Sequence, residues 1–177
     1  GNMQWVCEGF NPEDKPMWRV IASPGITEGI AVIPFGRTKY CAGVKLGGSG
    51  NITEGGRIWE RDDLGADCPS PVGRDGKVFV LSDRGQVNYL DAATGEDIWA
   101  DAIPRVRAKY YASPVLTGNH LYCAREDGVL TVLKVSDEGM EIVAQNEMGE
   151  RLAATPVPVN NKLLVRGVDH LFCIGTQ

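Results

Sequence analysis

The stretch SPVGRDGKVFVLSDRGQVNYLDAATGEDIW, Ser70 to Trp99, reads as one complete four-stranded unit. SPV opens a short first strand, a place where proline removes no ladder donor. KVFVLS and QVNYLD are apolar runs of strand length, and DRG between them supplies a hairpin turn. LDAATGEDIW then turns through a glycine, suited to positive φ, into a fourth strand that carries a tryptophan. The unit recurs. SPVLTGNHLYCAREDGVLTVLKVSDEGMEIV, Ser113 to Val143, follows it segment for segment, and from Thr155 the strands KLLVRG and DHLFCIG repeat its second and third members.

Two markers keep one period along the chain. The spacing G-x-x-x-W occurs as GNMQW, GGRIW and GEDIW, ending at Trp5, Trp59 and Trp99, with GMEIV ending at Val143 as a fourth copy; the intervals are 54, 40 and 44 residues. The longest contains the glycine-rich insert GGSGNITEGG. Ser23-Pro24, Ser70-Pro71, Ser113-Pro114 and Thr155-Pro156 recur at intervals of 47, 43 and 42. Tandem four-stranded units of about 40 to 50 residues are the signature of a β-propeller, one sheet per blade. The expected fold is therefore all-β, with repeats over approximately 23–62, 70–106, 113–147 and 155–177, the last completed by a strand within 1–9. Trp5, Trp59 and Trp99 are expected to pack between blades, and Val143 to mark a blade with less to bury.

The pattern SPV, GKVFV, DRGQVNYLDAATGEDIW resembles the tryptophan-docking repeat of bacterial quinoprotein-like propellers, the PQQ-like repeat family. That group includes quinone dehydrogenases and an outer-membrane assembly lipoprotein. The resemblance implies a ring of eight blades, of which this chain holds about half. Either its ends close on one another into a four-bladed ring, or it is half of a larger propeller that two copies related by a two-fold axis could complete. The half-propeller is the favoured expectation. The resemblance also implies a place outside the cytoplasm, periplasmic or secreted, and a function as enzyme, scaffold or binding platform.

Composition narrows those choices. A net charge of −5 over 177 residues and a pI near 5.1 argue against a nucleic-acid partner, which selects a basic stripe. No apolar run reaches the length of a membrane span. The five cysteines show no CxxC spacing and are expected to be mostly buried thiols, Cys123 and Cys173 among them.

Chemistry-bearing patterns are weak. His120 to Cys123 and His170 to Cys173 repeat a three-residue spacing that places the two side chains on opposite faces of a strand, so no shared metal is expected. KLGGSGNITEGG lacks the G-K-[ST] ending of a phosphate loop and is expected to be a long hairpin loop. Asp62, Asp63 and Asp67 could form an oxygen-ligand loop, with a solvated turn as the simpler reading. Quinone dehydrogenases carry an adjacent cysteine pair that this sequence lacks. No catalytic residue, cofactor or metal is expected, and the alternative of an oxidoreductase fragment would need residues outside this chain. What remains is a loop face. Arg37, Arg84, Arg125 and Arg166 fall near the turn between second and third strands in successive repeats, and the loops between repeats add Arg105, Arg107, Tyr110 and Arg151. On an acidic chain this composition suits a surface for a protein or acidic glycan partner.

Overall fold

The computed structural model of the protein describes residues 1–175; the last two positions of the fourth expected repeat lie outside them. Strand β1 (Trp5–Val6) precedes the first large sheet, which is β2 (Gly25–Thr27), β3 (Ile30–Phe35), β4 (Tyr40–Lys45) and β6 (Arg57–Arg61), with β5 (Gly50–Asn51) in the connection between β4 and β6. The second sheet is β7 (Val72–Arg74), β8 (Lys77–Leu81), β9 (Gln86–Asp91) and β10 (Asp97–Ala102). The third is β11 (Val115–Thr117), β12 (His120–Ala124), β13 (Val129–Val135) and β14 (Met140–Glu147), and the fourth is β15 (Val157–Val159), β16 (Lys162–Arg166) and β17 (Leu171–Gly175). Every large sheet is an antiparallel meander in chain order.

Period-two alternation explains why the middle strands are apolar throughout. In β8, Val78 and Val80 face the first sheet, where they join Val32, Cys41, Leu64 and Leu90. Phe79 and Leu81 face the third sheet with Val87, Tyr89, Leu121 and Leu133. A strand covered on both faces has no polar side to show, so alternation disappears from its sequence. A further core of Ala124, Leu130, Leu152, Leu163 and Val165 joins the third and fourth sheets. The core is thus three slabs, one between each pair of neighbours.

Both sequence markers lie at these junctions. On the outer side, Trp59 of the first sheet reaches the β9–β10 turn of the second, where its Nε1 donates to the Ala92 carbonyl at 2.8 Å. Its ring covers Gly95, which has φ +74 and where a Cβ would stand 2.5 Å from the indole. Trp99 of the second sheet does the same to the third, donating to the Ser136 carbonyl at 2.8 Å. At Gly95 the glycine of G-x-x-x-W therefore serves the preceding sheet's tryptophan rather than its own, whereas a Cβ at Gly55 or Gly139 would meet nothing within 4 Å. On the inner side, the Ser23 amide donates to the Ser70 hydroxyl and the Ser70 amide to the Ser113 hydroxyl, each at 2.9 Å. In the third sheet it is Ala144 that opposes Val132 as Trp99 opposes Tyr89, and Val143, expected in the tryptophan's place, falls on the bulge and is 44% exposed.

The N-terminal strand departs from expectation. Trp5–Val6 does not complete the fourth sheet, which has three strands among the described residues, but pairs in parallel with Gly50–Asn51. The glycine-rich insert runs extended here instead of looping freely, and its unpaired backbone takes the strand: the Gly50 and Ile52 amides donate to the Gln4 and Val6 carbonyls at 3.0 and 2.8 Å. Trp5 is half-buried and belongs to none of the three core slabs. Cys173 also differs. Cys41 and Cys123 are buried, but Cys173 is exposed because its face of the fourth sheet is uncovered.

Candidate functional site

The turns between second and third strands emerge together and are held by a recurring device: a carboxylate ties each repeat's turn to the segment that enters it. Glu13 accepts from the Tyr40 hydroxyl at 3.0 Å and pairs with Lys39. Asp83 accepts from the Asp67 amide at 2.9 Å. Glu126 accepts from the Lys109 amide at 2.9 Å. Glu150 accepts from the Asp169 and His170 amides at 2.9 and 3.0 Å. The position of these loops is fixed by hydrogen bonds to charged groups, which are stronger than neutral ones.

Between the first and second of these turns lies a cleft of about 690 Å³ that gathers Arg37, Arg84 and Arg105 with Arg19 and Lys109. Arg107 lines an adjoining hollow with Arg84 and Arg105. Arg19 is paired with Asp67. Among the described residues, Arg37, Arg84, Arg105 and Arg107 have no carboxylate within ion-pair distance. All four are exposed. Asp63, Asp67 and Asp83 also line the cleft, yet these four guanidinium groups remain without an ion-pair partner and so suit bidentate recognition of carboxylates.

The other expected members of the face lie elsewhere. Tyr110 is 2% exposed and forms part of the slab between second and third sheets. Arg125 is 7% exposed, with Nε donating to Asp127 Oδ1 at 2.8 Å. Neither presents its side chain to a partner. For Tyr110 the cause is positional: the residue three places before the second, third and fourth Ser/Thr-Pro markers turns inward, and Asp67, Tyr110 and Leu152 occupy that slot in turn, all buried, while Val20 before the first is exposed. Leucine at 152 was the sequence signal that a tyrosine there would be core. Arg151 is exposed and lies 3.6 Å from Glu126, and Arg166 is exposed at the end of β16; neither lines the cleft.

The acidic floor was not anticipated as a group. Asp67, Cys68 and Asp83 bring ligand atoms within 4.8 Å of one another. Burial pushes the Asp83 carboxyl above its ordinary range and, with the Asp83 charge, raises the Cys68 thiol. Arg19 already supplies the cation here, as counter-ion to Asp67. The loop Asp62, Asp63, Asp67 does not converge as one ligand set. Asp63 pairs with Arg61 at 2.7 Å, and only Asp67 enters the floor. His170 sits in the β16–β17 turn, 3.4 Å from Glu150, away from any cysteine cluster.

Comparison with known proteins fits this construction. Residues 2–141 match the family model PQQ_2, described as outer membrane protein assembly factor BamB. The chain belongs to this PQQ-like repeat β-propeller family. BamB of Escherichia coli (strain K12) is 25% identical over 144 residues, covering 72% of the chain and 35% of that relative. The chain therefore spans about a third of the length of this BamB. The crystal structure of BamB from Moraxella catarrhalis superposes with a TM-score of 0.63 at 14% identity, over 85% of this chain and 43% of the other. The computationally designed Ika4 protein superposes with a TM-score of 0.67 at 13% identity, over 99% of both chains. These likenesses fix the fold that carries the arginine cleft.

Proposed function

We propose that the protein is a non-catalytic scaffold that binds an acidic segment of a partner protein in the cleft between its first two repeats. The observation that carries this reading is the convergence of Arg37, Arg84, Arg105 and Arg107 without carboxylate partners on a chain of net charge −5. The backbone beneath them is pinned by Asp83 and Glu126, so the guanidinium groups are held on a rigid base. The family points the same way, because the relatives named above are assembly factors of outer membrane proteins. That kinship supports a place outside the cytoplasm, in the periplasm, and a role in assembling other proteins rather than in transforming a small molecule. The four repeats are read as half of an eight-bladed propeller, in keeping with the 43% of the Moraxella catarrhalis chain that they cover.

Calorimetric titration with a short Glu-rich peptide tests the binding role. The expected result is saturable binding that weakens steeply between about 50 and 200 mM salt, as screening shortens the reach of exposed charges. Arg84→Glu with Arg105→Glu should abolish it, and Arg166→Glu should leave it unchanged. Equal binding by all three proteins would overturn the assignment.

A further inference from the structure

The slot three places before each Ser/Thr-Pro marker holds Val20, Asp67, Tyr110 and Leu152 in successive repeats. Packing asks for no charge there, since Tyr110 and Leu152 fill it as members of apolar cores. The second repeat nevertheless buries an aspartate in it, only 7% exposed. A buried carboxylate is costly unless its lone pairs are met. Arg19 meets Oδ2 of Asp67 and nothing more of the group. Oδ1 is the one carboxylate oxygen among the described residues that is buried without a hydrogen-bond partner.

The neighbours of Asp67 are metal-ligating groups. Asp67, Cys68 and Asp83 each bring one ligand atom within 4.8 Å of the others. Ligand atoms on a tetrahedral zinc ion stand roughly 3.5 Å apart, so the three need to close by no more than about 1.3 Å. Cys68, a free thiol and the least buried of the three, is the ligand best able to move. Asp83 is already oriented. Its Oδ1 accepts from the Asp67 amide at 2.9 Å and the Cys68 amide at 3.4 Å, and its Oδ2 receives no hydrogen bond among the described residues. Outer contacts of this kind hold metal ligands in place. Asp67 and Asp83 line the cleft between the first two turns, which gives an ion its path of entry. The set belongs to the second repeat alone: the matching positions of the third are Tyr110, Tyr111 and Glu126, with one carboxylate and no thiol.

We infer that Asp67, Cys68 and Asp83 form a zinc site at the floor of the arginine cleft, with Arg19 as its outer counter-ion and the fourth position open to solvent. A thiolate beside carboxylates favours zinc over magnesium or calcium, which take oxygen ligands. Charge balances as well. Two carboxylates and a thiolate carry three negative charges, which a divalent ion and Arg19 together neutralise. Binding releases the Cys68 thiol proton to solvent and forms the sulfur–zinc bond. Neither His120 nor His170 belongs to the set, so it is independent of the spacing that argued against a metal at those residues. The site also stands apart from the peptide-binding role of the arginines above it.

The test uses the full chain carrying Cys7→Ser and Cys173→Ser, which removes the other thiols that are not buried. The protein is stripped with a chelator and titrated calorimetrically with zinc, then separately with cobalt(II) as a spectroscopic probe. The expected results are one zinc per chain, a thiolate-to-cobalt charge-transfer band in the near ultraviolet, and a Tm raised by saturating zinc. Cys68→Ser should abolish the band and weaken zinc binding at least about 100-fold, more than the loss of an outer-shell partner does. Asp67→Leu, which copies the slot of the fourth repeat, should fold and bind no zinc. Absence of stoichiometric zinc, equal binding by Cys68→Ser, or cobalt bound without the band would each overturn the site. If Asp67→Leu fails to fold, Cys68→Ser decides alone, because serine keeps the size of a half-buried side chain. Peptide binding at Arg84 and Arg105 is read separately from all of these.

Discussion

Replacing Trp99 by alanine should cost the protein a large part of its stability. Full burial of an indole removes about 150 to 250 Å² from water, worth on the order of 4 to 6 kcal/mol as an upper bound. Trp99 is half-buried, which lowers that term. Its ring also stands 5.4 Å from Tyr89 and 5.9 Å from Phe79, and its Nε1 donates to Ser136 across the junction. Together these give a loss of roughly 2 to 4 kcal/mol, at the lower side of large aromatic truncations. For a chain of this length that lowers Tm by about 5 to 15 °C. Thermal unfolding followed by circular dichroism reads it directly, with Trp99→Phe as an internal control. Phenylalanine keeps the ring contacts and forfeits the hydrogen bond, so it should cost about 1 kcal/mol. Val143→Ala, on the exposed bulge of the outer strand of the third sheet, should cost less than about 1 kcal/mol. A Trp99→Ala Tm within two degrees of the parent, or no greater loss than Val143→Ala, would refute docking as the principle that joins these sheets.

Gly95→Ala should destabilise by roughly 2 to 4 kcal/mol, because φ is +74 and the new Cβ would meet the Trp59 indole at 2.5 Å; a variant as stable as the parent would remove the glycine from the dock. Native thiol titration should label Cys173 first, and Cys41 and Cys123 only after unfolding, since burial pushes the Cys41 thiol up to about 12 and raises Cys123 further. Rapid labelling of Cys123 in the folded protein would contradict the slab between second and third sheets. Glu13 is held down to about 2 from 4.5 by hydrogen bonds from Lys15, Lys39 and Tyr40. A depressed carboxylate contributes its stability above 4.5 and loses it as pH falls through about 2. Fluorescence of Trp18, which packs 5.8 Å from Tyr40, should therefore change with a midpoint nearer 2 than 4.5; a midpoint at 4.5 would deny the clamp.

The architecture was legible because a repeat states its own rules several times. Ser70 and Ser113 recur because each hydroxyl receives the previous repeat's amide, and Trp59 and Trp99 recur because each reaches the next repeat's turn. Arg37, Arg84 and Arg105 were placed on one side by the same logic, since equivalent turns must emerge together. What escaped the sequence was side-chain direction in the irregular segments. Tyr110 and Arg125 lie beside surface residues yet point inward, one into a slab and one onto Asp127, and no periodicity governs a connecting loop. The pairing of Trp5–Val6 with Gly50–Asn51 escaped for another reason: a glycine-rich insert has no apolar pattern to advertise a strand, and only its free backbone makes it one. Asp67, Cys68 and Asp83 are likewise joined by the fold across 16 positions of chain, with no shared motif.

The measurement that bears most directly on the proposed role is a chemical-shift map of the whole chain during titration with the Glu-rich peptide. A single contiguous set of perturbed amides is expected at 37–39, 83–86 and 105–109, around Arg37, Arg84, Arg105 and Arg107, with 151 and 166 silent. Perturbations centred on the fourth sheet, or scattered without focus over the surface, would contradict the arginine cleft as the binding site.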